Sequence, residues 1–426
     1  MRTLLAVLLA ACACGSASAQ EKPVAGARLR LQPLSEEIGL KQAVTKWKTD
    51  ELARQGGKFG DHGWWPWGLR AFDYDLDGDY DLVAVQHGAP KSIVLRNTLR
   101  ETGKLGFVNA NAELGLNPSS ALGGCFSPLI WDFDGDGYLD VAYCDVGNTC
   151  FFNKAGKTFE PMGFGFGQLE GIRHVADLNG DGYPDVFHDQ RRFLYDPKTR
   201  KFVKEEHVHP LHATLPASVA AKVEELKKGR YVPRYLVHFD RIDLNGDGVR
   251  DLAYRYFGSY GGPMWSCFFL GDGKGNFADA TEALGLPADG AATFIRDLNG
   301  DGADDVLIVG AGLYLSDGKG KFALQTGPLT TFLKQRVSYI HKAHPVDFAN
   351  AGHFDLVVDN GRNAAVRIYE NDLSTSLKAD GKGGFVQVAA QGTWTDAVAA
   401  CDFDDDGLID VAIAGPGDSI TLYLNR

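Results

Sequence analysis

Acidic clusters of the form D-x-[DN]-x-[DN]-G-x-x-D recur seven times along the chain, the sixth in degenerate form, and a short apolar run follows each at once. They begin at Asp73, Asp132, Asp177, Asp243, Asp297, Asp347 and Asp402, in steps of 59, 45, 66, 54, 50 and 55 residues. A period in this range marks repeated supersecondary units rather than one irregular domain.

Each cluster has the chemistry of a calcium loop. Side-chain oxygens at positions 1, 3 and 5 can converge on one hard cation, the Gly at position 6 permits a sharp turn, and a carbonyl near position 7 with the Asp at position 9 can complete the shell. In the six intact copies these side chains are Asp73, Asp75, Asp77 and Asp81; Asp132, Asp134, Asp136 and Asp140; Asp177, Asn179, Asp181 and Asp185; Asp243, Asn245, Asp247 and Asp251; Asp297, Asn299, Asp301 and Asp305; and Asp402, Asp404, Asp406 and Asp410. An EF-hand is excluded. It needs a bidentate Glu at position 12 and flanking helices, whereas position 12 here is Ala84, Tyr143, His188, Tyr254, Ile308 or Ile413. The runs that follow (DLVAVQ, DVAYCD, DVFHD, DLAYRY, DVLIVG, DVAIAG) are too short for helices and read as buried strands.

A strand also leads into each loop, and downstream lie a third strand, a Gly/Lys turn and a fourth strand opening on Phe. Four antiparallel strands per repeat make a propeller blade. The fourth strand ends in a shared phrase, FVNANAELGL at Phe107 and FADATEALGL at Phe277, and a related phrase, LRLQPLSEEIGL, stands near the N-terminus before any first strand. The chain meanwhile stops on a third strand at Leu422–Arg426. The expected fold is therefore an all-β, seven-bladed β-propeller of four-stranded blades, its ring closed by an N-terminal strand around residues 28–34 that completes the last blade.

The loop, the G-x-G-x-F turn and the LGL phrase together resemble FG-GAP/VCBS-type repeats, those of the integrin α-subunit propeller and of many secreted bacterial proteins. The resemblance spans roughly residues 28–426 and implies a calcium-binding propeller, but no particular activity. The sixth copy departs from the pattern, with Ala349 and Ala351 at positions 3 and 5. About six calcium ions are expected, with that loop empty.

Charge agrees with this reading. The formal net charge is −12, and six divalent ions would nearly cancel it, so much of the acidity is ligand. No basic face for nucleic acid is present, and no stretch longer than the leader could span a membrane. Residues 1–19, ending Ala17-Ser18-Ala19, read as a cleaved secretory signal, leaving residues 20–426 as a single propeller domain. Leu9-Ala10-Ala11-Cys12 also resembles a lipobox, which would anchor a lipoprotein through Cys12. Either route places the protein outside the cytoplasm: secreted, periplasmic or at the cell surface. Five cysteines follow residue 19; Cys144 and Cys150 either form a hairpin disulfide or pack as small apolar residues.

Three inserts, 35–66, 206–234 and 328–343, each contain a predicted short helix and are expected to decorate the face opposite the calcium loops. Ligand-binding candidates there are His62, Trp64, Trp65 and Trp67, whose indoles can stack on sugar rings or clamp a peptide, or alternatively pack between blades. His207, His209 and His212 stand close together but lack the partners of a zinc site. No catalytic elbow, phosphate loop or metalloprotease helix is present. The sequence points to a secreted calcium-binding interaction, adhesion or carbohydrate-binding module whose partner is a protein or glycan. The alternative is a polysaccharide lyase or hydrolase using the decorated face.

Overall fold

The computed structural model describes residues 31–54, 66–86, 92–116, 128–143, 149–163, 172–177, 181–188, 191–199, 201–204, 219–221, 224–225, 234–257, 264–274, 276–299, 301–325, 330, 334, 342–348, 354–359, 366–369, 386–389, 398–415 and 419–426. His62, Trp64, Trp65, Asn179, Cys144, the three clustered histidines, Ala349 and Ala351 lie outside them, as do the side chains of Trp67 and Cys150.

The described chain is almost entirely β. It forms seven four-stranded antiparallel sheets, and six of them are simple meanders in chain order. In the first, β2 (Pro66–Phe72), β3 (Asp81–Gln86), β4 (Ser92–Asn97) and β5 (Phe107–Asn109) pair in sequence. The second to sixth sheets fall within 128–163, 172–204, 234–279, 291–324 and 342–389. The seventh joins the two ends of the chain. Its C-terminal strands Val398–Cys401, Asp410–Gly415 and Ser419–Asn425 are completed by β1 (Leu31–Leu34), which pairs antiparallel from Leu31 opposite Asn425 to Leu34 opposite Leu422.

Strands following the acidic loops are continuous in apolar residues because both of their faces are covered. Leu82, Val83, Ala84 and Val85 of β3 are all fully buried. Side chains alternate across a strand, and the alternation divides the core. Val83 and Val85 join Ile130, Val141 and Phe151 of the second sheet, while Leu82 and Ala84 join Ala399, Ala412 and Leu422 of the seventh. The seventh sheet repeats the division, with Val411 and Ile413 against Val357 and Ile368 of the sixth. First strands touch between consecutive sheets from the first to the sixth, and β2 also touches the first strand of the seventh.

Helix α1 (Leu40–Arg54) lies in the first insert. Its Leu40, Val44 and Trp47 are spaced i, i+4, i+7, one helical stripe, and all three are buried in the cluster shared by the first and seventh sheets. The helix touches β4, β5 and the last strand, Ser419–Asn425. This part of insert 35–66 is therefore a wedge at the outer strands of two sheets, its apolar stripe buried between them. The LGL phrase acts at the same level. The carbonyl of Ile38 accepts the Phe107 N–H at 2.8 Å, and that of Leu114 accepts the Phe159 N–H at 2.8 Å, so these two phrases clasp the outer strand of the next sheet. Gly39 turns at φ +78°, and a Cβ there would meet the Phe107 carbonyl at 2.8 Å, which is why the phrase needs glycine.

Candidate metal centres

The acidic loops share one hydrogen-bond frame. The position 1 carboxylate accepts the amides of positions 5 and 6: Asp77 N–H and Gly78 N–H donate to Asp73, Asp136 and Gly137 to Asp132, Asp247 and Gly248 to Asp243, and Asp406 and Gly407 to Asp402. Asp177 and Asp297 accept the corresponding pairs, from Asp181 and Gly182 and from Asp301 and Gly302. The position 5 carboxylate accepts the N–H of position 7, as Asp77 does from Asp79 at 2.9 Å and Asp136 from Tyr138 at 3.0 Å. Position 6 is left-handed in all six intact copies, with φ between 78° at Gly248 and 95° at Gly137, so glycine is required there. Asx turns of this kind wind the chain around the side chains of positions 1, 3 and 5.

Carboxylates meet where position 3 is Asp. One oxygen each from Asp73, Asp75 and Asp81 lies within 4.8 Å of the others, and the same holds for Asp132, Asp134 and Asp136 and for Asp402, Asp404 and Asp406. Oδ1 of Asp75 and Oδ1 of Asp404 are buried without a hydrogen-bond partner. A buried, unmatched carboxylate oxygen facing two like charges is unfavourable unless a cation joins it. The set is all oxygen, which suits a hard ion such as Ca²⁺; the loops fit the ion that their spacing implies. Where position 3 is Asn, its amide donates to the position 5 carboxylate instead: Asn245 to Asp247 and Asn299 to Asp301, both at 2.9 Å. In the seventh loop the Arg426 guanidinium lies 2.5 Å from Asp404 and 2.9 Å from Asp406.

Position 9 has a role that its sequence register did not disclose. Asp81, Asp140, Asp251, Asp305 and Asp410 are fully buried. One oxygen of each accepts the N–H of position 2, from Tyr74, Phe133, Leu244, Leu298 and Phe403. The other accepts the N–H at the end of the third strand, from Asn97, Asn153, Gly271, Ser316 and Asn425. The position 9 Asp thus pins three strands of its own sheet, and in the first loop it also meets the carboxylates of positions 1 and 3. Burial pushes the Asp81 carboxyl up to about 9, Asp140 and Asp410 to about 8, Asp305 to about 7 and Asp251 to about 6, against the pull of the two amides in each case. Burial also raises Asp75 to about 6, with Asp77 and Asp73 adding to the shift.

The strand-end asparagines were not singled out in the sequence. Their side-chain amides cross to the preceding sheet: Asn153 donates to the Tyr74 carbonyl at 2.6 Å, Asn97 to that of Phe403 at 3.0 Å and Asn425 to that of Phe348 at 2.7 Å. Each accepting carbonyl belongs to position 2 of an acidic loop, so every tie joins the loops of two sheets. The only signal was the recurrence of Asn at the end of SIVLRN, TCFFN and ITLYLN.

The family described as FG-GAP-like repeat matches residues 122–188 and 243–308. Comparison with curated proteins finds no match. Among solved structures, a lectin of Agrocybe aegerita, described as recognising non-reducing terminal N-acetylglucosamine, is similar at 20% identity and TM-score 0.43, over 77% of this chain and 81% of that one. An auxiliary nutrient binding protein from Bacteroides ovatus is similar at 11% identity and TM-score 0.41, over 85% of this chain and 69% of that one. An extracellular domain assigned to a hybrid two component system of B. thetaiotaomicron is similar at 11% identity and TM-score 0.48, over 94% of this chain and 42% of that one. Each matched segment takes in two acidic loops, at Asp132 and Asp177 in the first and at Asp243 and Asp297 in the second. Two segments of the chain, 122–188 and 243–308, carry FG-GAP-like repeats.

Proposed function

We propose that the six intact loops are structural calcium sites, and that the seven sheets are the blades of one closed propeller whose stability they secure. The observation that carries this reading is the shared amide frame, with carboxylates of positions 1, 3 and 5 meeting in the second and seventh loops and of positions 1, 3 and 9 in the first, and with Oδ1 of Asp75 and of Asp404 buried without a partner. Asp73, Asp75, Asp77 and Asp81, and their equivalents in the other intact copies, would hold the ion. When bound, calcium supplies positive charge that keeps these carboxylates ionised at neutral pH. Pairing of β1 with the last strand supports closure, since it joins the chain ends within one sheet. The sixth loop, with Ala349 and Ala351 in place of two ligands, is proposed to be empty.

On this scaffold the protein acts outside the cytoplasm as a binding module for a protein or glycan, with His62, Trp64, Trp65 and Trp67 on the ligand surface. Among the described residues no helix is long and apolar enough to cross a membrane. Metal analysis of protein equilibrated in calcium tests the first part: loss of one ion from Asp132→Ala and none from Asp347→Ala supports it, and equal losses contradict it. A polysaccharide and glycan panel tests the second. Retention without turnover supports a module, whereas new reducing ends or unsaturated uronate absorbance would assign an enzyme.

A further inference from the structure

We propose a second hard-cation site beside the first loop, built by Asp77, Asp79 and Glu101. It goes beyond the loop sites and rests on them only through Asp77, which both would share. Position 7 is acidic in the first loop alone; the other copies carry Tyr138, Tyr183, Val249, Ala303, His353 and Leu408. The first sheet also has a short helical turn, α2 (Leu99–Thr102), between its third and fourth strands, and this turn brings in Glu101.

One oxygen each from Asp77, Asp79 and Glu101 lies within 4.8 Å of the others. Asp79 is only 3% exposed. Its Oδ2 accepts the Arg100 N–H at 2.9 Å, whereas its Oδ1 is buried without a hydrogen-bond partner. A carboxylate oxygen held in this way, beside two further carboxylates, requires a positive charge to offset its desolvation. Neither neighbouring guanidinium meets Asp79 Oδ1. Arg96 pairs with Glu101 and, at 3.0 Å, with Glu113, which leaves Glu101 anchored; Arg100 reaches Gly78 O and Asp405, each at 3.0 Å. The Asp79 N–H donates to Asp77 Oδ1 at 2.9 Å and draws the shared ligand over the site. Three carboxylates, two of them on the exposed side where water can complete the shell, select an oxygen-seeking divalent ion.

Native mass spectrometry of the intact protein in calcium tests the site. The wild type is expected to carry one ion more than Glu101→Gln and one more than Asp79→Asn. Glu101 is not a loop ligand, and Asn at 79 keeps an acceptor for the Arg100 amide, so neither change removes the first loop's own four ligands. Thermal melts of both variants in calcium confirm that they are folded. Asp132→Ala reports on the loop sites separately: its failure to lose an ion would count against those sites and leave this one standing. An ion count unchanged from wild type in either Glu101→Gln or Asp79→Asn overturns the proposal.

Discussion

The seventh, first and second sheets and the fourth and fifth sheets build the same loop with different side chains around it. In the first group position 3 is Asp, and a strand-end Asn reaches across to the preceding sheet from a buried site. In the second group position 3 is Asn, and the strand ends on Gly271 or Ser316. Contact with the preceding sheet then falls to position 8: Arg250 donates to the Asp177 carbonyl at 2.7 Å, and Asp304 accepts the Asp243 N–H at 3.0 Å, both partly exposed. The position 9 carboxyls follow the same division, with the higher values at Asp81, Asp140 and Asp410 and the lower at Asp251 and Asp305. If the loops bind calcium as proposed, concentrating negative charge and buried amide ties in one group makes its order depend on the ion. Substituting an amide for one carboxylate relaxes that dependence.

The first group also surrounds the place where the chain ends meet. A continuous run of hydrogen bonds passes from Phe348 through Asn425 and Asp410 to Phe403, then through Asn97 and Asp81 to Tyr74, and on through Asn153 and Asp140 to Phe133. It couples four sheets around the place where β1 meets the last strand.

The largest expected effect comes from removing that junction. Deleting residues 20–34 strips β1 from the seventh sheet and exposes the edge of its last strand. The loss should reach several kcal/mol, a large part of the roughly 5–15 kcal/mol by which a domain is stable, or the protein should aggregate. Deleting residues 20–24 should change nothing. Chemical denaturation of the two truncations checks this, and equal stability would show that the chain ends close in another way. Next comes Asp132→Ala. Losing one site in a hundredfold excess of calcium over its dissociation constant removes about 2.7 kcal/mol, whereas Asp347→Ala should lack this calcium-dependent component. Melts at several calcium concentrations separate the two.

Asn153→Ala should cost about 1–3 kcal/mol, because the Tyr74 carbonyl is left buried without its donor. Asp304→Ala, at a partly exposed tie, should cost about 0.5–1.5 kcal/mol. Equal losses would erase the distinction between the two groups of sheets. A last contrast is in pH, where the sign of the change rather than its size separates the calcium-loaded from the calcium-free protein. Without calcium, native Asp81, Asp140 and Asp410 hold protons up to about 9, 8 and 8, while the unfolded chain releases them near pH 3.9. The native state then binds more protons, so stability falls as pH rises from about 4 to about 9. With calcium the carboxylates are held ionised, and stability falls as pH drops instead. Melting temperatures at pH 5 and pH 8, with and without the ion, should therefore have opposite slopes.

Much of this was legible in the sequence because repetition exposed it. The loop register gave the strand on each side, and the stray LRLQPLSEEIGL phrase located β1 within a few residues of Leu31–Leu34. Asn97 escaped notice because an Asn at a strand end reads as an ordinary turn residue; its partner, Phe403, is 306 residues away in the chain. Position 9 was read as a ligand from its register alone, and its two backbone amides depend on how the third strand pairs. Helix α1 was located correctly, but where its stripe of Leu40, Val44 and Trp47 would be buried depended on the meeting of the first and seventh sheets.

Thermal unfolding of one preparation, in calcium and again in excess EDTA at pH 8, tests most directly whether the acidic loops are structural metal sites. The expected result is a steep fall in melting temperature in EDTA, restored in proportion to added calcium, since an ion that binds only the native state stabilises it by mass action. Superimposable melts would contradict it and leave the loops as acidic turns.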